Sequence, residues 1–278
     1  MSRRSFSLSK LCFWLGIVFL YAPMLVLIIY SFNESRLVTV WAGWSTKWYG
    51  ELFRDDQLMT AVWRSFQVAF YSATAAVLIG LLASVVMVRY TRFKGRTLFS
   101  GMITAPLVMP DVVIGLSMLL LFVAAAQTIG WPPHRGLLTV WIAHTTFCIA
   151  YSTVVISSRL REMDQSLEEA ALDLGAPPLT AFFKVTLPII APSILSAWLL
   201  SFTLSLDDVV IASFVTGPGA TTLPIEVFSS VKLGVTPKVN ALATIIIGIV
   251  SMVMLGSWFV SRRMDERHKA SMRMAAGT

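Results

Sequence analysis

The sequence predicts an all-α polytopic membrane protein with six transmembrane helices, and three observations carry that prediction. Of the 278 residues, 56% are hydrophobic and 13% charged, with a mean hydropathy of +0.74. Soluble domains carry roughly 25% charged residues, so membrane lipid is the solvent this composition matches. Six stretches approach or exceed the ~20 apolar residues that cross a bilayer as a helix: 11–32, 65–88, 98–126, 137–158, 189–214 and 241–261. The basic residues are also lopsided. With the N-terminus in the cytosol, fifteen of the 22 Lys and Arg fall on that side, including Arg89, Arg92, Lys94, Arg96, Arg159, Arg161, Lys184 and the run from Arg262 to Arg273. This positive-inside bias puts both termini in the cytosol. It also accounts for the net charge of +7 and leaves no nucleic acid to be invoked as a partner.

No remaining stretch is long enough for a soluble core. Residues 1–261 read as one transmembrane domain containing a cytosolic loop, 159–188, and 262–278 as a basic cytosolic C-terminal tail. At the start, Ser2-Arg3-Arg4-Ser5-Phe6 imitates a twin-arginine signal. The apolar run behind it is a full span with no small-residue cleavage site, so an uncleaved signal anchor is expected. In the next segment, 33–64, Trp48, Tyr49, Leu52 and Phe53 recur at helical spacing beside Trp41 and Trp44. This predicts a helix lying in the headgroup region, where aromatic rings anchor.

Span three contains Pro106, Pro110 and Asp111. Proline removes a backbone donor and kinks a helix, and within a bilayer the freed carbonyls must find protein or water. Such a break belongs against other helices or against a pathway, and both remain open. In span four, His144 is expected to pack with a hydrogen bond. Cys12 and Cys148 have no paired spacing, and His134, His144 and His268 form no ligand pattern, so neither a disulfide nor a metal is expected. Beyond span five, Thr216–Thr222 is rich in turn residues, and a short helix is possible over 224–233.

The loop between spans four and five is the most informative segment. Ser166, followed three residues later by Glu169, makes a capping box and predicts a helix start. Gly175 stands where a left-handed residue ends that helix. Pro177 and Pro178 forbid its continuation, and a second short helix over about 179–186 follows. Leu167, Ala170, Ala171 and Leu174 form an apolar stripe. The stripe suits packing on the chain's own spans or on a partner, and periodicity does not choose between them.

Glu169-Ala170-Ala171, three residues, Gly175, nine residues, then Val185-Thr186-Leu187-Pro188 closely resembles the EAA loop of binding-protein-dependent ABC-importer permeases. The family pattern has isoleucine where Val185 stands, a volume-similar change. The resemblance implies the type I importer permease fold. It also implies that Glu169, Ala170, Ala171, Gly175, Leu187 and Pro188 dock on a separate ATPase subunit. No Gly-x4-Gly-Lys-Ser/Thr occurs in the chain, so ATP is bound by that partner. No cofactor is expected in this subunit, and it is not expected to be an enzyme.

Span five places Ser201, Thr203, Ser205, Asp207 and Asp208 in an apolar setting. An aspartate at a span's centre costs about 2.5–3.5 kcal/mol, so an intramembrane acid is a candidate for function or for a structural pair. Asp207 is 18 residues past Ile189, roughly 27 Å at 1.5 Å per residue, toward the periplasmic side. Adjacent helical residues point about 100° apart. Asp208 therefore continues the row of Ser201 and Ser205, Asp207 shares a side with Thr203, and at most one acid faces a pore squarely. With Asp111 at comparable depth, these acids form a candidate cation pathway.

The segments Ala105-Pro106-Leu107-Val108-Met109-Pro110-Asp111, Ser205–Val215 and Asn240-Ala241-Leu242-Ala243-Thr244 are further similar to the polyamine (spermidine/putrescine) permeases, putrescine type. That resemblance implies a second homologous permease subunit, two ATP-binding subunits, a periplasmic polyamine-binding protein and a polyamine substrate. An ABC permease for iron or thiamine, and a secondary cation transporter, are the alternative readings of the same acids.

Overall fold

The computed structural model describes residues 8–276 other than 38, 39, 91 and 235, with the backbone alone for 9, 233, 253, 257, 258 and 260–276. The twin-arginine-like segment lies outside the described residues. Twelve α-helices follow one another among the described residues, and six helical segments are long and apolar enough to cross a membrane. The chain divides into two units, 1–56 with 230–278, and 57–229.

In the first unit, α1 (Leu8–Ser31) packs along α12 (Pro237–Ala276), which also meets α2 (Lys47–Phe53). The apolar window of α1 has no buried residue, as expected of a helix whose neighbour is lipid or another subunit. The expected short helix exists as α2, but its aromatics divide. Trp48 and Leu52 are buried, and the Trp48 indole donates to the Asn33 carbonyl at 2.6 Å. Phe53 is exposed, as are Trp41 and Trp44. The headgroup-anchor reading is thus corrected for Trp48, whose N–H is satisfied inside the protein. The expected tail is continuous with the last span, because α12 runs unbroken past 261 to Ala276.

The second unit is built on α3 (Asp56–Arg89), α6 (Leu137–Glu162) and α9 (Leu187–Asp207). Small and hydroxylated residues let these helices approach closely, as polar glue does between membrane helices. A Cβ on Gly80 would lie 2.8 Å from the Ser152 Cβ. Ser84 donates to the Thr153 carbonyl at 3.0 Å, and the Ser152 and Ser201 hydroxyls meet at 2.8 Å. Val68, Ala76, Val140, Ala143, Phe147 and Cys148 fill the core beside Ile211, Ala212 and Val215.

Two of the expected spans are broken. Span three is two helices, α4 (Arg96–Val108) and α5 (Asp111–Ile129), with Met109 and Pro110 extended between them. Pro106 is accommodated inside α4; the break comes at Pro110, whose ψ of 139° is not helical. Counting Asp111 as a point along one straight span is corrected: it opens a 19-residue helix of its own. Span five similarly ends at Asp207 and resumes as α10 (Val210–Val215), with Asp208 extended. These breaks are neighbours in space. Gly115, one turn after Asp111, lies so close to α10 that its Cβ would stand 3.2 Å from the Ile211 Cα. The possible helix at 224–233 is α11 (Leu223–Leu233).

Candidate functional site

The cytosolic loop folds as α7 (Ser166–Asp173), a turn, and α8 (Pro178–Ala181). Its cap differs from the expected box. Ser166 lies inside α7, and Asp164 Oδ1 accepts from the Ser166 N–H at 3.0 Å. That hydrogen bond holds the Asp164 carboxyl below the ordinary aspartate range. An aspartate two residues earlier does the work expected of the serine, because a carboxylate accepts more strongly than a hydroxyl.

The far end forms as expected. Gly175 has φ +84°, the Ala176 N–H reaches the Ala171 carbonyl at 3.1 Å, and the Gly175 N–H reaches Leu172 at 2.9 Å. This is a Schellman closure, which a left-handed glycine favours. The expected second short helix is not separate. After α8, a π turn at Phe182–Thr186 leads directly into α9, so Leu187 and Pro188 begin the fifth span itself. The wide turn makes room ahead of Pro188, whose ring and missing N–H do not fit a regular α-helical ladder.

Glu168 and Glu169 have opposite surroundings. Glu168 is half-buried and pairs with Arg89 at the end of α3, and the Thr186 hydroxyl donates to the same oxygen at 2.8 Å. Met163 and Thr186 are buried at the two ends of the loop. The loop is thus tied to spans two and five, while Glu169 and Ala170 remain exposed and Ala171 is half-buried. The stripe that had two possible uses is not packed on the chain's own spans: Leu167 is 50% and Leu174 89% exposed, with Leu179 and Phe183 exposed nearby. Arg89, Glu168 and Thr186 were missed by sequence reasoning. The 100° between neighbouring helical residues says that two adjacent glutamates diverge, but not which one turns inward.

The acids of span five separate in the same way. Thr203, Asp207 and Asp111 are exposed in the isolated chain. Ser205 and Asp208 face inward, to His144 on α6. His144 Nδ1 is 2.7 Å from the Ser205 hydroxyl, and Nε2 is 3.2 Å from Asp208 Oδ2. A carboxylate only accepts, so in the neutral tautomer Nε2 carries the proton and Ser205 donates to Nδ1. The Asp208 oxygens also accept from the Ile211 and Ala212 amides at 3.2 and 2.7 Å, capping α10. Its side chain is 8% exposed. Ser205 and Asp208, expected on a pathway face, are turned inward in this chain: Ser205 meets His144, and Asp208 caps α10 at the helix break. His144 has the hydrogen-bonded packing role expected of it. No cluster able to hold a metal ion occurs among the described residues.

The profile of the family described as "Binding-protein-dependent transport system inner membrane component" matches residues 76–265. The putrescine transport system permease protein PotI of Escherichia coli (strain K12) is 64% identical over 253 residues, covering 91% of this chain and 90% of that protein. The spermidine/putrescine transport system permease protein PotC of the same strain is 42% identical over 245 residues, covering 88% of this chain and 90% of that one. A bacterial ABC transporter that imports the acidic polysaccharide alginate shares the fold, with a TM-score of 0.69 at 17% identity over 92% of this chain and 93% of that one. The methionine ABC transporter MetNI, in an inward-facing form, aligns with a TM-score of 0.58 at 18% identity over 72% of this chain and 92% of that one. The six membrane-spanning segments, the tethered loop with its exposed apolar stripe and these matches together place the chain in the family of binding-protein-dependent transport system inner membrane components, as a multi-pass permease subunit of an ABC transporter.

Proposed function

We propose that this permease imports a small aliphatic polyamine, putrescine foremost, and is itself neither an enzyme nor an ATP-binding subunit. The single observation carrying the substrate is the 64% identity across 91% of the chain to a putrescine permease. The exposed Thr203–Asp207 face, with Asp111 likewise exposed, supplies matching chemistry. A unit charge pair at 4 Å and an effective dielectric of ~20 gains about 4 kcal/mol before desolvation. That is enough to guide an ammonium without trapping it.

In this reading Glu169, Ala170, Ala171 and Gly175 meet a separate ATPase subunit, the exposed Leu167 and Leu174 enlarge that surface, and Leu187 and Pro188 carry the motion into span five. A second homologous permease completes the pathway, two ATP-binding subunits power it, and a periplasmic binding protein delivers the cation. The basic-residue bias supports placing both termini in the cytosol. The test is ATP-dependent uptake by the reconstituted complex. Saturable putrescine uptake, weakened in Asp207→Asn with assembly intact, is expected. Uptake of thiamine or iron in its place would refute the substrate. ATPase subunits that still co-purify with Glu169→Lys and Gly175→Asp would refute the docking surface.

A further inference from the structure

Resting on this cation-pathway reading, we propose that His144 is a positioning residue for transport: it holds Asp208 turned into the protein, so that of the adjacent pair only Asp207 offers its charge to the passing cation. Two adjacent aspartates end α9, where the chain is extended at Asp208. Only one of them has an interior partner. His144 is fully buried, fixed through Nδ1 by Ser205 at 2.7 Å and edge-on to Phe147 at 5.6 Å between ring centroids. From that fixed position Nε2 faces Asp208 Oδ2 at 3.2 Å. The two α10 amides donate one to each carboxylate oxygen, and the imidazole faces Oδ2 as a close polar contact rather than as an aligned hydrogen bond.

Without the imidazole, Oδ2 keeps only the Ala212 amide in a desolvated setting, and rotation toward the exposed side exchanges the two α10 amides for water. Asp207 and Asp208 would then face the cation together. A site with two charges binds a diamine more tightly in its ground state, and transport needs release as well as capture. His144 thereby sets how strongly the permease holds its substrate, without touching it.

The test uses the assembled complex in lipid nanodiscs and proteoliposomes, with two readouts. Carbodiimide-driven coupling of an amine to accessible carboxyls, located by mass spectrometry, needs no transport. Asp208 is expected to label at least about tenfold less than Asp207 in the parent complex and in His144→Gln, whose amide keeps the donor, and to label comparably in His144→Leu. Equal labelling in the parent, or protection unchanged in His144→Leu, overturns the inference. In uptake assays His144→Leu lowers KM and maximal rate by about tenfold each, since one more close unit charge exceeds the ~1.4 kcal/mol of a tenfold change. Adding Asp208→Asn restores the rate. A merely structural histidine predicts a double variant no better than His144→Leu, and that result also overturns the inference. Unchanged uptake in Asp207→Asn refutes the pathway reading and the transport part of this inference with it, while the labelling judges the hold on Asp208 independently.

Discussion

Glu168 and its neighbour Glu169 differ by one position, and truncating each should have opposite consequences. Glu168→Ala removes the carboxylate that accepts from both Arg89 and Thr186. A hydrogen bond to a charged group is worth about 1.5–3 kcal/mol net when buried, and both side chains of the ion pair are 22% exposed, so solvent screening discounts it. Together the two contacts hold the loop by about 2 kcal/mol, equivalent to a roughly 30-fold change in its opening equilibrium. Hydrogen exchange followed by mass spectrometry on the detergent-solubilised chain measures this opening. Amides of 166–176 should exchange about 30-fold faster in Glu168→Ala, with the α6 core unchanged. Glu169→Ala should leave exchange at parental rates, because that side chain is exposed, yet weaken ATPase co-purification. Parental exchange in Glu168→Ala would refute the tether. Faster exchange in Glu169→Ala would refute the division of labour between the two acids.

Three further predictions follow from local geometry. Gly175 has φ +84° with no atom near its missing Cβ, so Gly175→Ala loses about 1 kcal/mol through backbone strain alone, read as faster exchange at 170–176. Gly115→Ala places a methyl 2.6 Å from the Phe214 ring and should cost about 1–3 kcal/mol, lowering the complex's thermal midpoint, whereas Gly16→Ala, with open space, should not. Asp164→Ala uncaps α7 and speeds exchange at 166–169, while Asp164→Asn preserves the acceptor. Because the folded carboxyl titrates below its ordinary value, the cap is complete at neutral pH and is lost only as pH falls below the ordinary aspartate range.

The sequence made legible whatever a local rule determines. Apolar length located six spans, glycine after a small-residue helix located the loop's left-handed closure, and Pro110 located a break. It misplaced features decided by tertiary partners. Ser166 and Asp164 are both competent caps, and only the path of the chain from the buried Met163 selects the aspartate. Trp48 carries the mark of an interfacial anchor, but a carbonyl at Asn33 claims its N–H. The π turn at Phe182–Thr186, which fuses the second short helix to span five, has no compositional signature beyond the proline that follows it. His144 could be recognised as hydrogen-bonded, yet the groups it faces lie 61 and 64 positions away, on α9 and in the break that follows it.

The helix breaks also bear on how much of the acidic character needs a substrate to explain it. An interrupted helix inside a membrane begins with amides that lack carbonyl partners and with the positive end of a dipole. Asp111 occupies the first turn of α5, and Asp208 caps α10 with both oxygens. Each acid therefore stabilises a backbone that the fold has broken, by an amount on the order of 0.3–2 kcal/mol. These two positions would favour an acid even in a permease for a neutral solute. Asp207 differs: it closes α9, at the negative end of that helix's dipole, where an acid is disfavoured. Of the three acids it alone lies where the backbone works against it. The electrostatic case for a cationic substrate accordingly rests on Asp207, and Asp207→Asn is the substitution that should separate transport from folding.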